Sequence, residues 1–496
     1  MKKFNLILFF IFSLTVSFGQ IKFEIAYSTG GYDKAEGIVQ TYDSGYAVIG
    51  SSEGFIGISD VYLMRVNKYG ALLWSKTFGG IKIDQGQDII ETTDSGFAII
   101  GYTNSFDTNS YQMYFIKTDK NGDTIFTKTI GEIDWDFGYA LKQTSDGGYI
   151  LAGETYKLGN SKGYIVKLDS IGNVSWRKTF GGINNDKFED VIITSLGDFI
   201  FTGSSESFGN NKQAYVVKTN NLGVLTWQKT FGYPGTDFAK SIVELPSGEL
   251  VFVGGTNTPP HADIDNWVVK LSSTGIQLQS IYVPDYSSST PISQNDDWNE
   301  SIIVHGNDTL IFGGIRTYDN VEPGNIYSYI HKSNLTSPRI GEFQKYISSF
   351  KEIVNDIKST SDNGMIFACT AEGLGTGGSS IYLIKFDNIL TNPPPYYNSI
   401  SHQNDISSVE ELTNTMDVNF FPNPVSNIGN FILKNIENKK ITITIRDISG
   451  KITEIKTENN STKIEMDFNT YSKGIYFATV SEENNIIKTL KIIVTN

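Results

Sequence analysis

Residues 146–153 read Asp-Gly-Gly-Tyr-Ile-Leu-Ala-Gly, and residues 167–182 read Lys-Leu-Asp-Ser-Ile-Gly-Asn-Val-Ser-Trp-Arg-Lys-Thr-Phe-Gly-Gly. Variants of these two phrases recur along the chain in the same order, at a spacing of 50 to 60 residues. A period of that length is typical of solenoids and propellers. The last glycine of the first phrase, which we call the anchor, has one counterpart in each unit: Gly50, Gly101, Gly153, Gly203, Gly254, Gly314 and, in the seventh, Cys369.

Other columns keep register with the anchor. A basic residue follows an aromatic one in the third segment of each unit, as Lys167 follows Tyr164. An acidic residue lies 17 positions before every anchor, and we call these residues the acid column: Asp33, Asp84, Asp136, Asp186, Asp237, Asp297 and Glu352. Seven complete units in register predict seven copies of one structural element.

Each unit contains four short runs rich in Val, Ile, Tyr and Phe, separated by Gly, Asp and Asn turns. Such runs are typical of strands, and Asp43-Ser-Gly45 is typical of a tight hairpin. A repeated four-stranded unit of this length is typical of a propeller blade. The sequence therefore predicts an all-β chain with a seven-bladed β-propeller over residues 20–390.

The seventh unit lacks its fourth strand, because the chain runs into Pro393-Pro-Pro395 after the third. A matching segment stands at the start of the chain, from Phe23 to Gly31. We predict that residues 22–29 supply the missing outer strand, which would remove the exposed edge of an incomplete blade.

The N-terminus is typical of a cleavable secretory signal, predicted over residues 1–19. Met1-Lys2-Lys3 precedes an apolar run from Phe4 to Val16 that is too short to span a bilayer as a helix. No later stretch is predicted to cross a membrane. The net charge of −14 makes nucleic acid an unfavourable partner.

After a polar linker over residues 391–415, the last 81 residues (416–496) alternate Ile and Thr in a way that indicates a small antiparallel β-sandwich. The order and spacing of their motifs resemble the type A C-terminal sorting domain of the type IX secretion system of Bacteroidetes. The residues that match that pattern are Pro422, Asn423, Pro424, Gly450, Gly474 and Tyr476. This resemblance implies recognition by the type IX machinery, passage across the outer membrane, and release or attachment at the cell surface.

The repeated phrases themselves resemble bacterial seven-bladed propeller repeats of the SBBP type. The resemblance covers about residues 22–388 and is weaker in units six and seven, where turn glycines are replaced at Ser337 and Leu390. It implies a fold and no particular activity.

The acid column is open to two interpretations. A ring of carboxylates at a channel mouth would attract a cation or a basic ligand. Alternatively, each acid accepts hydrogen bonds from nearby backbone N–H groups and fixes a turn. Its presence in every unit favours the structural interpretation.

Residues specific to one unit are better site candidates, because a binding site usually breaks the repeat. The irregular segments 255–265 and 315–327 fall on the face that carries the variable loops. Their candidate ligand-binding residues are His261, Asp263, Asp265, Arg316, Tyr318 and Asp319. Ordinary surface variation is the alternative interpretation.

No catalytic constellation, cofactor motif or metal-ligand spacing stands out, since the four histidines are scattered. Asp119-Lys-Asn-Gly-Asp123 has some features of a calcium loop but lacks the distal Glu, so calcium stays open and a simple turn is favoured. The single cysteine, Cys369, excludes an internal disulfide and is expected in the core.

These patterns favour a non-enzymatic protein, secreted or bound to the cell surface, whose propeller binds a glycan or a protein through its loop face. A secreted polysaccharide lyase or hydrolase is the alternative, since paired carboxylates perform that chemistry. A structural surface role is the third hypothesis.

Overall fold

The computed structural model describes residues 21–495 except for short internal segments. Those segments are 54, 56, 107–109, 133, 210, 258–262, 284–295, 307–308, 319–324, 335–342, 345–350, 374–377, 389–417, 422–424, 434–439, 448–450, 460 and 483–484. Every regular element in the described part is a β-strand, which confirms the all-β prediction, and no membrane-spanning helix is found there.

The repeat region forms four-stranded antiparallel sheets whose strands follow chain order. Strand β1 spans Phe23–Tyr27. Sheet 1 contains β2 (Asp33–Gln40), β3 (Tyr46–Ser52), β4 (Asp60–Val66) and β5 (Leu72–Phe78). Sheet 2 contains β6 (Asp84–Glu91), β7 (Phe97–Thr103), β8 (Gln112–Thr118) and β9 (Thr124–Ile130). Sheet 3 contains β10 (Asp136–Gln143), β11 (Tyr149–Lys157), β12 (Asn160–Leu168) and β13 (Val174–Phe180).

Three further sheets follow the same plan. Sheet 4 contains β14 (Asp186–Ile193), β15 (Phe199–Ser205), β16 (Gln213–Thr219) and β17 (Leu225–Phe231). Sheet 5 contains β18 (Asp237–Glu244), β19 (Leu250–Thr256), β20 (Asp265–Leu271) and β21 (Gln277–Val283). Sheet 6 contains β22 (Asp297–His305), β23 (Thr309–Tyr318), β24 (Asn325–Asn334) and the short β25 (Phe343–Gln344).

Sheet 7 is assembled from both ends of the repeat region. Its own strands are β26 (Lys351–Ser359), β27 (Met365–Glu372) and β28 (Ser379–Phe386). Strand β1 adds to β28 as an antiparallel outer strand, with Phe23 opposite Lys385 and Tyr27 opposite Ile381.

The first strand of each sheet carries a bulge that begins two residues after its acid-column residue. In sheet 3 the pairing with β11 shifts between Gly138 and Ala140, directly beside the anchor Gly153. The same shift occurs at the corresponding place in every other sheet of the repeat region that the structure describes. An extra residue at this point bends the first strand and re-aims its side chains.

Apolar cores lie between consecutive sheets. Ile49 and Leu63 of sheet 1 pack with Ile89 and Phe97 of sheet 2, and comparable clusters join each later pair. A further cluster joins sheet 7 to sheet 1 and includes Phe23 and Tyr27 of β1. The first strands of consecutive sheets also contact one another, and β26 contacts β2. Strands covered on both faces explain the continuous apolar runs of the second and third segments.

The C-terminal region forms a separate apolar core between two sheets. The three-stranded sheet contains β29 (Val418–Phe421), β30 (Ile428–Leu433) and β33 (Lys463–Asp467). The four-stranded sheet contains β31 (Lys440–Asp447), β32 (Ile452–Asn459), β34 (Gly474–Glu482) and β35 (Asn485–Val494). In β31 the isoleucines at 441, 443 and 445 are buried, so the Ile/Thr alternation turns one face inward.

Candidate ligand-binding site

The acid column begins the first strands, and its side chains are at most 2% exposed. Asp84 shows the arrangement: one carboxylate oxygen accepts from the Gly80 N–H at 2.8 Å and the Ser105 hydroxyl at 2.6 Å, and the other accepts from Thr103. Asp186 has the same partners from Gly182, Ser205 and Ser207. Burial raises the pKa of Asp84, Asp136 and Asp237 above the ordinary value. The hydrogen bonds that each carboxylate accepts offset part of this rise.

The loop candidates from the sequence lie only in part within the described residues. His261 and Asp319 lie outside them. Asp263 and Asp265 are 9% and 2% exposed, and Asp265 begins β20 opposite Thr256. Arg316 and Tyr318 end β23, where the Arg316 backbone pairs with that of Asp297. Asp265, Arg316 and Tyr318 thus belong to strands of sheets 5 and 6, and Asp263 lies two residues before β20.

Two of the sorting-motif residues are described. Gly474 begins β34, and the buried Tyr476 donates its hydroxyl proton to the Ser472 carbonyl at 2.9 Å. Pro422, Asn423, Pro424 and Gly450 lie outside the described residues, as do the predicted signal 1–19 and linker 391–415.

The first strands also carry a set of partly exposed side chains that differs from sheet to sheet. These occupy the positions one and three residues after each acid, and we call them the inner face. The acid before each pair, such as Asp136, and the residue between the two members, such as Gly138, are buried. The inner face consists of Lys34 and Glu36, Gln85 and Gln87, Phe137 and Tyr139, Lys187 and Glu189, Phe238 and Lys240, Trp298 and Glu300, and Ile353 and Asn355.

Sheets 2 and 3 bring six aromatic side chains into mutual contact beside this face. We call them the aromatic patch: Tyr102, Tyr111, Trp135, Phe137, Tyr139 and Tyr156. Phe137 lies at the centre, with ring centroids 5.0 Å from Tyr102 and 5.2 Å from Tyr111. Trp135 is 49% exposed and packs 5.6 Å from Tyr156. The other five rings are partly exposed, so the patch presents an aromatic surface to solvent.

Polar groups surround the aromatic patch. The Tyr102 hydroxyl donates to Gln85 Oε1 at 2.6 Å, and the Tyr139 hydroxyl donates to Glu154 Oε1 at 2.7 Å. The Lys187 ammonium lies 5.6 Å from the centre of the Tyr139 ring. Burial raises the pKa of Tyr102 to about 12, so its hydroxyl keeps its proton at neutral pH. The site thus combines aromatic faces with hydrogen-bond donors and acceptors.

A row of charges continues along the inner face through sheets 4 to 6. Glu189 pairs with Lys187 at 2.5 Å and with Lys240 at 3.7 Å, and Lys240 also pairs with Glu300 at 3.3 Å. Although burial opposes it, these two lysines lower the pKa of Glu189 to about 2. Burial raises the pKa of Glu36 to about 7. The charges of Lys34 and Lys240 lower this pKa, and the charge of Glu300 raises it. The inner strands therefore face a shared space.

The described residues contain no group of three or more His, Cys, Asp or Glu side chains that could hold a metal ion. The Asp119 carboxylate accepts from the N–H groups of Asn121 and Asp123 at 2.8 and 2.9 Å, as in a turn. Cys369 is buried, and burial raises the pKa of its thiol.

Sequence reasoning missed the aromatic patch although one signal for it was present. Trp135, Phe137 and Tyr139 alternate at the period of a strand, and no other unit has three aromatic residues at these positions. Comparing units column by column for departures from the repeat would have selected this segment.

No curated protein matches this sequence. Among solved structures, Sqt1 from Chaetomium thermophilum is 12% identical, with a TM-score of 0.43, and the match covers 73% of this chain and 98% of that chain. Drosophila Plexin A, solved in complex with Semaphorin 1b, is 11% identical, with a TM-score of 0.43, and covers 74% of this chain and 87% of that chain.

Residues 419–495 match the family model of the secretion system C-terminal sorting domain. This match confirms the type IX sorting domain predicted from the motifs of the tail. The C-terminal region of the chain is a secretion-system sorting domain, and the protein is exported to be secreted or attached to the outer-membrane surface.

Proposed function

We propose that the exported protein is a glycan-binding protein whose repeat region is a seven-bladed propeller of the SBBP type, closed by the N-terminal strand. The ring is supported by the pairing of β1 with β28 and by the apolar cluster that joins sheets 7 and 1. In this arrangement the inner face lines a central channel, and the acid column organises the turns at its mouth.

The aromatic patch is the observation that carries the binding role. Sugar rings present C–H faces that pack on aromatic rings, whose faces are electron-rich. Their hydroxyl groups need partners at the edge of such a surface, and Gln85, Glu154 and the two tyrosine hydroxyls supply them. Small-ligand sites typically combine aromatic side chains with a few convergent polar groups, and the aromatic patch has both.

Export is consistent with a ligand outside the cell. The sorting domain directs the chain to the cell surface or medium, where polysaccharides are available. A glycan role also fits a binding surface in which Tyr102, Phe137, Tyr139 and Tyr156 are on regular strands, while Tyr111 and Trp135 directly precede β8 and β10, since strands hold their side chains in fixed positions.

The proposal is tested by titrating the purified full chain with neutral and acidic oligosaccharides of four to eight units. Trp135→Ala should weaken binding about tenfold, a change of about 1.4 kcal/mol, because it removes the most exposed ring of the patch. Tyr69→Ala is the matched control: Tyr69 is 60% exposed but lies in the β4–β5 turn, away from the patch.

The proposal requires an effect confined to the patch. If Trp135→Ala and Tyr69→Ala bind each oligosaccharide as the unmodified protein does, the patch is not the site. If no oligosaccharide binds, while Trp135→Ala abolishes capture of a protein partner, the patch is a protein-binding surface.

A further inference from the structure

Resting on the proposed glycan-binding function, we infer that the ligand is an acidic glycan and that Lys212, on the rim of the inner face, binds its carboxylate or sulfate group.

Lys212 lies immediately before β16, and its carbonyl accepts from the N–H of Asp237 at 2.9 Å. This bond places Lys212 next to the start of β18, where Asp237 of the acid column lies. Its ammonium lies 5.4 Å from the centre of the Phe238 ring, an inner-face residue. Within the described residues, no carboxylate lies at ion-pair distance from this ammonium, although Glu189 and Glu206 act on it from farther away.

The neighbouring lysines already have partners. Glu189 is shared by Lys187 and Lys240, and Lys240 also binds Glu300. Burial and the positive charges of Lys187 and Lys240 lower the pKa of Lys212. A ligand anion would give Lys212 the close partner that it lacks, and an ammonium partly removed from water binds an anion more strongly than an exposed one.

Aromatic rings flank these lysines on both sides. The aromatic patch of sheet 3 touches Lys187 through Tyr139. Beyond Lys212, Phe238 contacts Trp298 of sheet 6 with a ring-centroid distance of 6.2 Å. An extended glycan can therefore pack sugar rings on the aromatic surfaces while a charged unit lies between them. A neutral glycan would leave the Lys212 ammonium without a close anionic partner.

The test uses matched pairs of oligosaccharides that differ only in charge: tetragalacturonate and its methyl ester, and a sulfated galactan tetrasaccharide and its desulfated form. We expect the acidic member of a pair to bind about tenfold more tightly to the full chain at low salt. Lys212→Gln should remove most of that preference and leave the affinity for the neutral member within about twofold. The pair that responds distinguishes carboxylate from sulfate recognition.

Lys68→Gln is the control variant, because the Lys68 ammonium lies 5.0 Å from the Tyr69 ring in the β4–β5 turn, remote from the inner face. It should change neither affinity. If both members of each pair bind equally, or if Lys212→Gln weakens both alike, the inference is wrong while glycan binding stands. If no member of either pair binds, and neutral oligosaccharides also fail, both proposals are wrong.

Discussion

At the glycine anchors of sheets 1 to 6 the second strand runs so close to the first that a side chain has no room, whereas the anchor of sheet 7 is Cys369. A Cβ built on Gly153 would lie 1.9 Å from the Phe137 carbonyl oxygen, and one on Gly101 would lie 1.8 Å from that of Gln85. In these six sheets the carbonyl beside the bulge of the first strand faces the anchor, so glycine is needed there for space. The sequence predicts the anchor but not the bulge, because a bulge has no residue pattern of its own here.

Gly153→Ala should therefore destabilise the protein by about 3 kcal/mol or more, at the upper end of overpacking costs. Gly159→Ala is the control: that residue has a φ of +89° and open space around it, so only backbone strain of about 1–2 kcal/mol applies. Urea unfolding measures both. Equal losses for the two variants would show that the clash is relieved by a shift of the backbone.

Glu36 gives a prediction for pH. Burial raises its pKa to about 7 in the folded protein, against an ordinary value near 4.5. A carboxyl with a raised pKa stabilises the fold most when protonated, so its contribution is complete below pH 4.5 and is lost as the pH rises through 7. Glu36→Gln should accordingly melt above the unmodified protein at pH 8, and the difference should shrink toward pH 5. A difference in melting temperature that does not depend on pH would contradict a raised pKa for Glu36.

Between neighbouring sheets, the tryptophan of one outer strand packs against the turn glycine of the next sheet. A Cβ on Gly122 would lie 2.6 Å from Trp74, and one on Gly223 would lie 2.7 Å from Trp176. In sheet 1 the corresponding glycine, Gly70, faces Ile25 and Phe23 of β1. Strand β1 thus takes the place of a tryptophan-bearing outer strand.

Phe23→Ala should lower the free energy of unfolding by about 3–5 kcal/mol, since Phe23 is 6% exposed and lies in the cluster that joins sheets 7 and 1. Ile125→Ala, at an outer-strand residue that is 46% exposed, should have little effect. Thermal unfolding compares the two variants. A midpoint for Phe23→Ala equal to that for Ile125→Ala would mean that the packing of β1 is dispensable for stability.

At the scale of the molecule, the repeat made the strands and hairpins predictable, because turn glycines and apolar runs are local signals. The candidate site was not predictable in the same way. Variable loops pointed to Asp263 and Asp265, and the structure buries both, Asp265 at the start of β20 and Asp263 just before it. Tyr102 and Phe137 are 35 positions apart in the sequence, and their rings meet only because sheets 2 and 3 pack together, which no local pattern encodes.

A crystal structure of the full chain soaked with the tightest-binding tetrasaccharide will show whether an oligosaccharide binds at the aromatic patch. We expect one sugar ring packed on Trp135 and Phe137, and the charged group of another sugar unit within 4 Å of the Lys212 ammonium. Sugar density on segments 255–265 or 315–327, with the aromatic patch unoccupied, would contradict it.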